Sequence, residues 1–378
     1  MSRLLILIFQ IFGIIAVSAQ SKSNYVIVGS YAKPESKGLH VCKFDDTLGT
    51  LSVVSEISNV DNPTYVVVSP DNKYLYAVNE TDTGQGSISA FLISKKTGEL
   101  SFLNKVSSEG SGPCFIDIDK SGKWLVAGNY NSGSFSVFKT NNDGSLSTAL
   151  QTVAHKGKGV NTTRQEKSHI HCTQFSPDGR FVVVVDLGTN QIFSYPFDRS
   201  TPTKPINAKK ADKFTFPDGY GPRHVCFHPS RAIAYVMNEL SGNVSVFKFT
   251  DGEFDLVEHT PAELTKEELK FTDKGGADIH ITPDGKYLYT TTRGTNDDIS
   301  FYTISPMDGK LKFQSRIASN GKEPRNFTIS PNGKFLLVGN RASDNISIFK
   351  IDKKTGQLTM TENVYSANQP VCLRWAKF

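Results

Sequence analysis

The chain has 378 residues, with 42 Lys and Arg against 37 Asp and Glu, for a formal net charge of +5. That excess is mild, and no Lys/Arg run is interleaved with aromatics, which argues against a nucleic-acid partner. The length would admit two domains, but no linker interrupts it. No long stretch carries the 3.6-residue period of an amphipathic helix, which excludes a helical bundle.

At the N-terminus Arg3 precedes an apolar stretch, residues 4–17. Val17-Ser18-Ala19 suits cleavage before Gln20, so residues 1–19 read as an export leader. The stretch is short for a membrane span. The expectation is a periplasmic or secreted protein with no span after cleavage. No cysteine follows Ala19 to take a lipid.

Residues 25–31, 39–44 and 51–57 then read as three strands with no partner before them. From residue 64 a unit begins that recurs. Thr64-Tyr65-Val66-Val67-Val68 is followed by the turn Ser69-Pro70-Asp71-Asn72, then by an alternating run, residues 73–79, and by two further short strands. Pro presets φ in such a turn, and Asn or Gly at its end tolerates the left-handed conformation. The turn returns as Ser176-Pro177-Asp178-Gly179, Thr282-Pro283-Asp284-Gly285 and Ser330-Pro331-Asn332-Gly333. Degenerate copies are Asp119-Lys120-Ser121-Gly122 and His228-Pro229-Ser230-Arg231. Between positions 70, 120, 177, 229, 283 and 331 the steps are 50, 57, 52, 54 and 48. Four-stranded units at that spacing are propeller blades.

Six turns mark six blades. A seventh comes from the ends: residues 369–375 look like an inner strand with nothing after it, and the three N-terminal strands lack an inner strand. The expected fold is therefore all-β, a seven-bladed β-propeller closed by pairing N- and C-terminal strands, forming a single domain from residue 20 to 378. Cys114, Cys172, Cys226 and Cys372 fall in inner strands of different blades, where apolar packing is their expected role rather than a disulfide framework.

The repeated turn also serves as a ruler. The first inner-strand residue of each blade is Thr64, Cys114, His171, Arg223, Ala277, Arg325 or Val371. The end of each second strand is Glu80, Tyr130, Leu187, Glu239, Arg293, Arg341 or Tyr31. Antiparallel strands bring both rows to one mouth of the central channel. Three arginines there can converge, Arg223, Arg293 and Arg325, with Arg341 nearby, two glutamates and a histidine. Convergent charge in a concave place marks a candidate site, and an arginine excess calls for an anionic ligand. The long connections 154–168, 200–221 and 259–275 lead into inner strands and are expected to wall that mouth, with a short helix at 261–270. A water-filled channel lined by ion pairs is the structural alternative. His169 and His171 lack a third ligand at metal-binding spacing, so neither metal nor cofactor is expected. His228 and His280 read as structural.

Arginines clamp carboxylate or phosphate, a glutamate or histidine can act as general base, and an arginine can steady an oxyanion. No Gly-x-Ser-x-Gly elbow is present. Gly219-Tyr220-Gly221-Pro222-Arg223-His224-Val225-Cys226-Phe227-His228-Pro229, followed by Tyr235-Val236-Met237-Asn238-Glu239-Leu240, resembles the signature of the seven-bladed β-propeller lactonase family, which has 6-phosphogluconolactonase and carboxy-cis,cis-muconate lactonizing members. His169-Ile170-His171, residues 277–285 and Glu323-Pro324-Arg325 are similar to its other blocks. The resemblance implies metal-independent lactone chemistry with catalytic Glu239, His171, Arg223 and Arg293. Either Glu239 or His171 would be the base, and the arginines would bind the anion. Arg325, Arg341, Glu80, Tyr31 and Tyr130 are the expected substrate-binding set. The resulting expectation is a hydrolase resembling 6-phosphogluconolactonase, acting on a small acidic lactone as a monomer or weak dimer. A muconate-type cycloisomerase and a non-enzymatic binding propeller are the alternatives.

Overall fold

The computed structural model describes residues 24–33, 35–262, 270, 273–294 and 296–378. The expected leader lies outside the described residues, as does nearly all of the helix expected at 261–270. The described residues form 28 strands, numbered β1 to β28 in chain order, in seven four-stranded antiparallel sheets. Blade 1 is closed by both ends of the chain: β1 (Asn24–Ser30) pairs with β28 (Pro370–Lys377) and, on its other side, with β2 (Leu39–Asp45). Tyr25 stacks on Phe378 at 4.0 Å across this seam. Blades 2 to 7 follow in chain order, each beginning with its inner strand. Among the described residues, no helix is long and apolar enough to cross a membrane.

Five of the six repeated turns share one hydrogen-bond pattern. In these five the first side chain accepts the backbone N–H five residues on. The pairs are Ser69 Oγ with Tyr74 (2.9 Å), Asp119 Oδ1 with Trp124 (3.1 Å), Ser176 Oγ with Phe181 (3.0 Å), Thr282 Oγ1 with Tyr287 (3.1 Å) and Ser330 Oγ with Phe335 (2.9 Å). In the sixth, the His228 ring lies 3.1 Å from the Gly285 carbonyl of the next blade's turn.

The second strands do not alternate between core and solvent as the run at 73–79 predicts. All six residues of β9 (Trp124–Asn129) are buried, as are all six of β17 (Ile233–Asn238) and β25 (Phe335–Asn340). Each blade is covered on both faces by its neighbours, so its middle strands have no solvent face. Outer strands such as β7 (Leu100–Ser107) carry several exposed positions. The connection 200–221 also differs from expectation. It contains the outer strand β15 (Asp212–Thr215) of blade 4, so only its last residues reach the channel mouth.

Candidate active site

A bulge builds the ring of inner-strand residues. In β8 (Pro113–Ile118), Pro113 pairs with Asn129 and Phe115 with Gly128, leaving Cys114 as the extra residue. The same irregularity leaves out His171 in β12 (Ile170–Phe175), Arg223 in β16 (Pro222–Phe227), Arg325 in β24 (Pro324–Ile329) and Val371 in β28. β20 (Gly276–Ile281) has it between Gly276 and Ile279. A bulged residue leaves the ladder and its side chain is re-aimed. Pro113, Pro222, Pro324 and Pro370 stand directly before the bulge, where a residue with no N–H to donate fits. Thr64, Cys114, His171, Arg223, Arg325 and Val371 line the narrow floor of the channel mouth together.

Above that floor lies a cavity of about 490 Å³, bordered by Glu80, Tyr130, Arg164, His171, Glu239, Asp273, Arg293, Arg325 and Arg341, among others. All the expected site residues therefore gather at one mouth, with Arg223 beneath and Tyr31 at the side. Leu187, at the equivalent ring position of blade 4, does not: it is fully buried, and its carbonyl accepts from the Gln165 side chain at 2.8 Å.

Glu239 is the hub. Its backbone N–H donates to Gly221 O at 2.7 Å, and its carbonyl accepts from Gly276 N at 2.9 Å. A Cβ at Gly276 would stand 2.6 Å from the Asn238 carbonyl of the preceding blade, so only glycine lets the two blades approach this closely. The Glu239 carboxylate meets three guanidiniums. Oε1 accepts from Arg164 Nη2; Oε2 lies 2.8 Å from Arg223 Nε and 3.3 Å from Arg293 Nη2. Burial alone would raise its proton affinity, but Arg293, Arg223 and Arg164 outweigh burial and hold the carboxyl well below the usual range. The pairs to Arg223 and Arg293 are ionic rather than aligned. Arg223 Nε, Arg293 Nε and Glu239 Oε2 are buried without a hydrogen-bond partner. Burial lowers Arg293 to about 10, partly offset by Glu239.

His171 is buried beside these groups. Its ring is edge-on to Tyr130 and to His224, with centroids 5.4 and 5.2 Å away, and Nδ1 lies 4.0 Å from Cys114 Sγ. Burial, then the charges of Arg223 and Arg325, push its pKa well down, so the imidazole is neutral. His169 does not share this cavity; it stacks on Tyr130 at 4.4 Å and bonds Glu166 at 2.9 Å.

The remaining arginines separate. Arg341 pairs with Glu323. Arg325 lies 5.5 Å from the Tyr31 ring centre, and Tyr31 donates to Glu80 Oε1 at 3.2 Å. Glu80 Oε2 accepts from Thr64 Oγ1 at 2.5 Å. Acids therefore match most of the arginine excess expected from the sequence. Arg164 and Asp273, which form an ion pair of their own, were not among the expected residues. Both sit in long connections with no counterpart in other blades. The loop carrying Arg164 is pinned by buried Asp186, which accepts from Ser168 Oγ (2.6 Å), His155 Nδ1 (2.9 Å) and His169 N (2.8 Å).

The geometry sets three buried guanidiniums around one carboxylate, beside an imidazole whose pKa burial holds down. A family model described as "Lactonase, 7-bladed beta-propeller" matches residues 25–375. A Bacillus subtilis 6-phosphogluconolactonase is 36% identical over 92% of this chain and 97% of its own length. A solved Bacteroides fragilis structure, described as a candidate 6-phosphogluconolactonase, is 34% identical with a TM-score of 0.87, covering 95% of this chain and 99% of its own. The periplasmic gluconolactonase of Pseudomonas aeruginosa is 28% identical with a TM-score of 0.87, covering 94% and 99%.

Proposed function

This chain belongs to the seven-bladed β-propeller lactonase family, and from that premise we propose that it hydrolyses a lactone ring with His171 as general base. The observation that carries the assignment is the contrast between the two possible bases. Both oxygens of Glu239 are already engaged by guanidiniums, and a carboxylate so held has little affinity for a proton. His171, whose pKa burial holds well down, lines the cavity and is joined to no carboxylate by an ion pair among the described residues.

In this reading Nε2 accepts a proton from water as the water oxygen attacks the lactone carbonyl carbon. The carbonyl oxygen becomes an oxyanion and meets Arg293, whose Nε is unsatisfied. The acyl–oxygen bond of the ring then breaks. The leaving alkoxide takes the proton back from His171, giving a hydroxy acid. Glu239 keeps Arg164, Arg223 and Arg293 in position and lowers the cost of burying them. Arg325, Arg341, Glu80, Tyr31 and Tyr130 contact the rest of the substrate. No step calls for a metal.

The leader-like residues 1–19 and the likeness to a periplasmic enzyme support a location outside the cytoplasm. The test is turnover of sugar lactones by purified protein and by His171→Gln. The proposal expects catalysis above spontaneous hydrolysis that the variant loses. A variant as active as wild type would sink the role of His171.

A further inference from the structure

We infer that Arg164, held by Asp273, is a positioning residue for the reaction: it fixes the Glu239 carboxylate so that Arg293 keeps a free donor for the oxyanion. The inference rests on the lactone-hydrolase reading above. Arg164 stands on a firm mount. The Asn161 side chain accepts from Thr163 N and Arg164 N, both at 3.1 Å. The neighbouring Gln165 is fully buried, and its backbone N–H donates to Asn161 O at 2.8 Å. From there the side chain crosses the mouth to two other blades. Nη1 meets Asp273 Oδ2 in the connection before blade 6, and Nη2 meets Glu239 Oε1 just after β17 of blade 5. Asp273 is tied down in turn, its Oδ1 accepting from Gly275 N at 2.9 Å.

Of the three guanidiniums around Glu239, Arg164 alone donates an aligned hydrogen bond to it among the described residues. Arg223 and Arg293 approach Oε2 as ion pairs, and Arg223 Nε, Arg293 Nε and Oε2 stay without hydrogen-bond partners. A guanidinium and a carboxylate free to turn close a fork of two parallel N–H···O bonds. Arg164 blocks that closure by keeping Oε1 for itself. A fork between Glu239 and Arg293 would consume the Nε that meets the oxyanion. The side chains of Arg164 and Asp273 are 32% and 31% exposed, against 4% for Glu239. Replacing either one therefore leaves no unpaired buried charge, because Glu239 keeps Arg223 and Arg293.

The test measures kcat and KM of the full chain on sugar lactones, corrected for spontaneous hydrolysis. The variants are Arg164→Ala, Arg164→Lys, Asp273→Asn, and Arg164→Ala combined with Asp273→Asn. Loss of an oriented oxyanion donor costs on the order of 10²-fold, so kcat of Arg164→Ala should fall by about that factor with KM near that of wild type. Arg164→Lys returns the charge without the two-armed reach and should recover only part of the loss. Asp273→Asn should lower kcat by about tenfold in the wild-type background and by almost nothing in Arg164→Ala, because it acts through Arg164. Wild-type kcat in Arg164→Ala, a rise in KM alone, full recovery by Arg164→Lys, or equal losses from Asp273→Asn in both backgrounds would overturn the positioning role and leave lactone hydrolysis standing. A wild type that turns over no sugar lactone would overturn both.

Discussion

The two mouths of the channel enclose cavities of similar size, about 490 Å³ at the charged mouth and about 470 Å³ at the mouth bearing the repeated turns. They handle buried charge in opposite ways. At the turn mouth Asp278 accepts from His224 Nδ1 (2.8 Å), His280 Nε2 (3.0 Å), Asn326 Nδ2 and Phe327 N (3.1 Å). Its valences are filled by protein from three blades, and no side chain lining that mouth is a buried orphan among the described residues. At the charged mouth Arg223, Arg293 and Glu239 each keep an unsatisfied buried atom. Cavity size does not separate a site from a structural void; incomplete hydrogen bonding does. Between the mouths, Tyr65 stacked on Phe115 at 4.1 Å and edge-on to His224 forms an aromatic partition.

The largest effect expected from this contrast is at Glu239. Glu239→Gln leaves Arg164, Arg223 and Arg293 buried around a neutral amide. Breaking a buried pair from one side costs about 3–5 kcal/mol, so urea unfolding should show a large fall in stability together with loss of turnover. An unchanged midpoint would mean the cluster is solvated and the contrast false. Next is His171→Gln. Loss of a general base costs about 10²–10⁴-fold in kcat, while stability should move far less than in Glu239→Gln, since no ion pair is broken. A variant that lost stability as heavily as Glu239→Gln would make His171 a structural residue.

Asp278→Asn probes the other mouth. It replaces an acceptor shared by four donors, so it should cost about 1–3 kcal/mol in unfolding but lower kcat/KM by less than about tenfold, as expected for a site walled off from the chemistry. The contact that tests the partition is His224, whose ring lies 3.2 Å from Arg223 Nη1. A hundredfold loss with the fold intact would show that Asp278 orients Arg223 through His224, and that the two mouths act as one site.

The same contrast explains what the sequence made legible. The turns were readable because their chemistry is local: in four copies Ser or Thr comes first, then Pro, with a residue at positive φ at the end, such as Asn72 or Gly179. The closing blade followed from strands left without partners. The ring of His171, Arg223 and Arg325 was readable because each follows the same offset from a turn. The bulge that aims these residues was not foreseen, though Pro at positions 113, 222, 324 and 370 marks it. Arg164 and Asp273 were hidden because loops outside the repeat have no ruler. The pairing of the arginines was hidden for another reason: which acid a guanidinium reaches depends on side-chain direction across three blades, as with Arg164, Arg223 and Arg293 on Glu239.

The smallest expected effect is on acid stability, and it asks whether the mouths also differ in how they titrate. His171 at one mouth and His224 at the other are both buried neutral. Burial, reinforced by Arg223, lowers His224 to about 3, and burial with Arg223 lowers His171 well below its ordinary value. In the unfolded chain each takes a proton near pH 6.5. As pH falls below about 6.5 the unfolded state therefore binds protons that the native state refuses, and stability drops by up to about 1.4 kcal/mol per pH unit for each ring. Glu239 and Asp278 act lower. Their folded pKa values are depressed, so their contribution is complete above the ordinary values of 4.5 and 3.8 and is lost as pH falls below these. Between pH 6 and 5 the fall in stability therefore comes from histidines, including the lowered His40, His228 and His259 elsewhere, and is partly offset by Asp117, which burial raises to about 6 so that the native state takes up a proton there. Urea unfolding across that interval should give a shallower slope for His171→Gln and for His224→Gln, each by up to one proton. If only His224→Gln flattens the curve, the imidazole at the charged mouth is already protonated in the native state, and His171 cannot be the base.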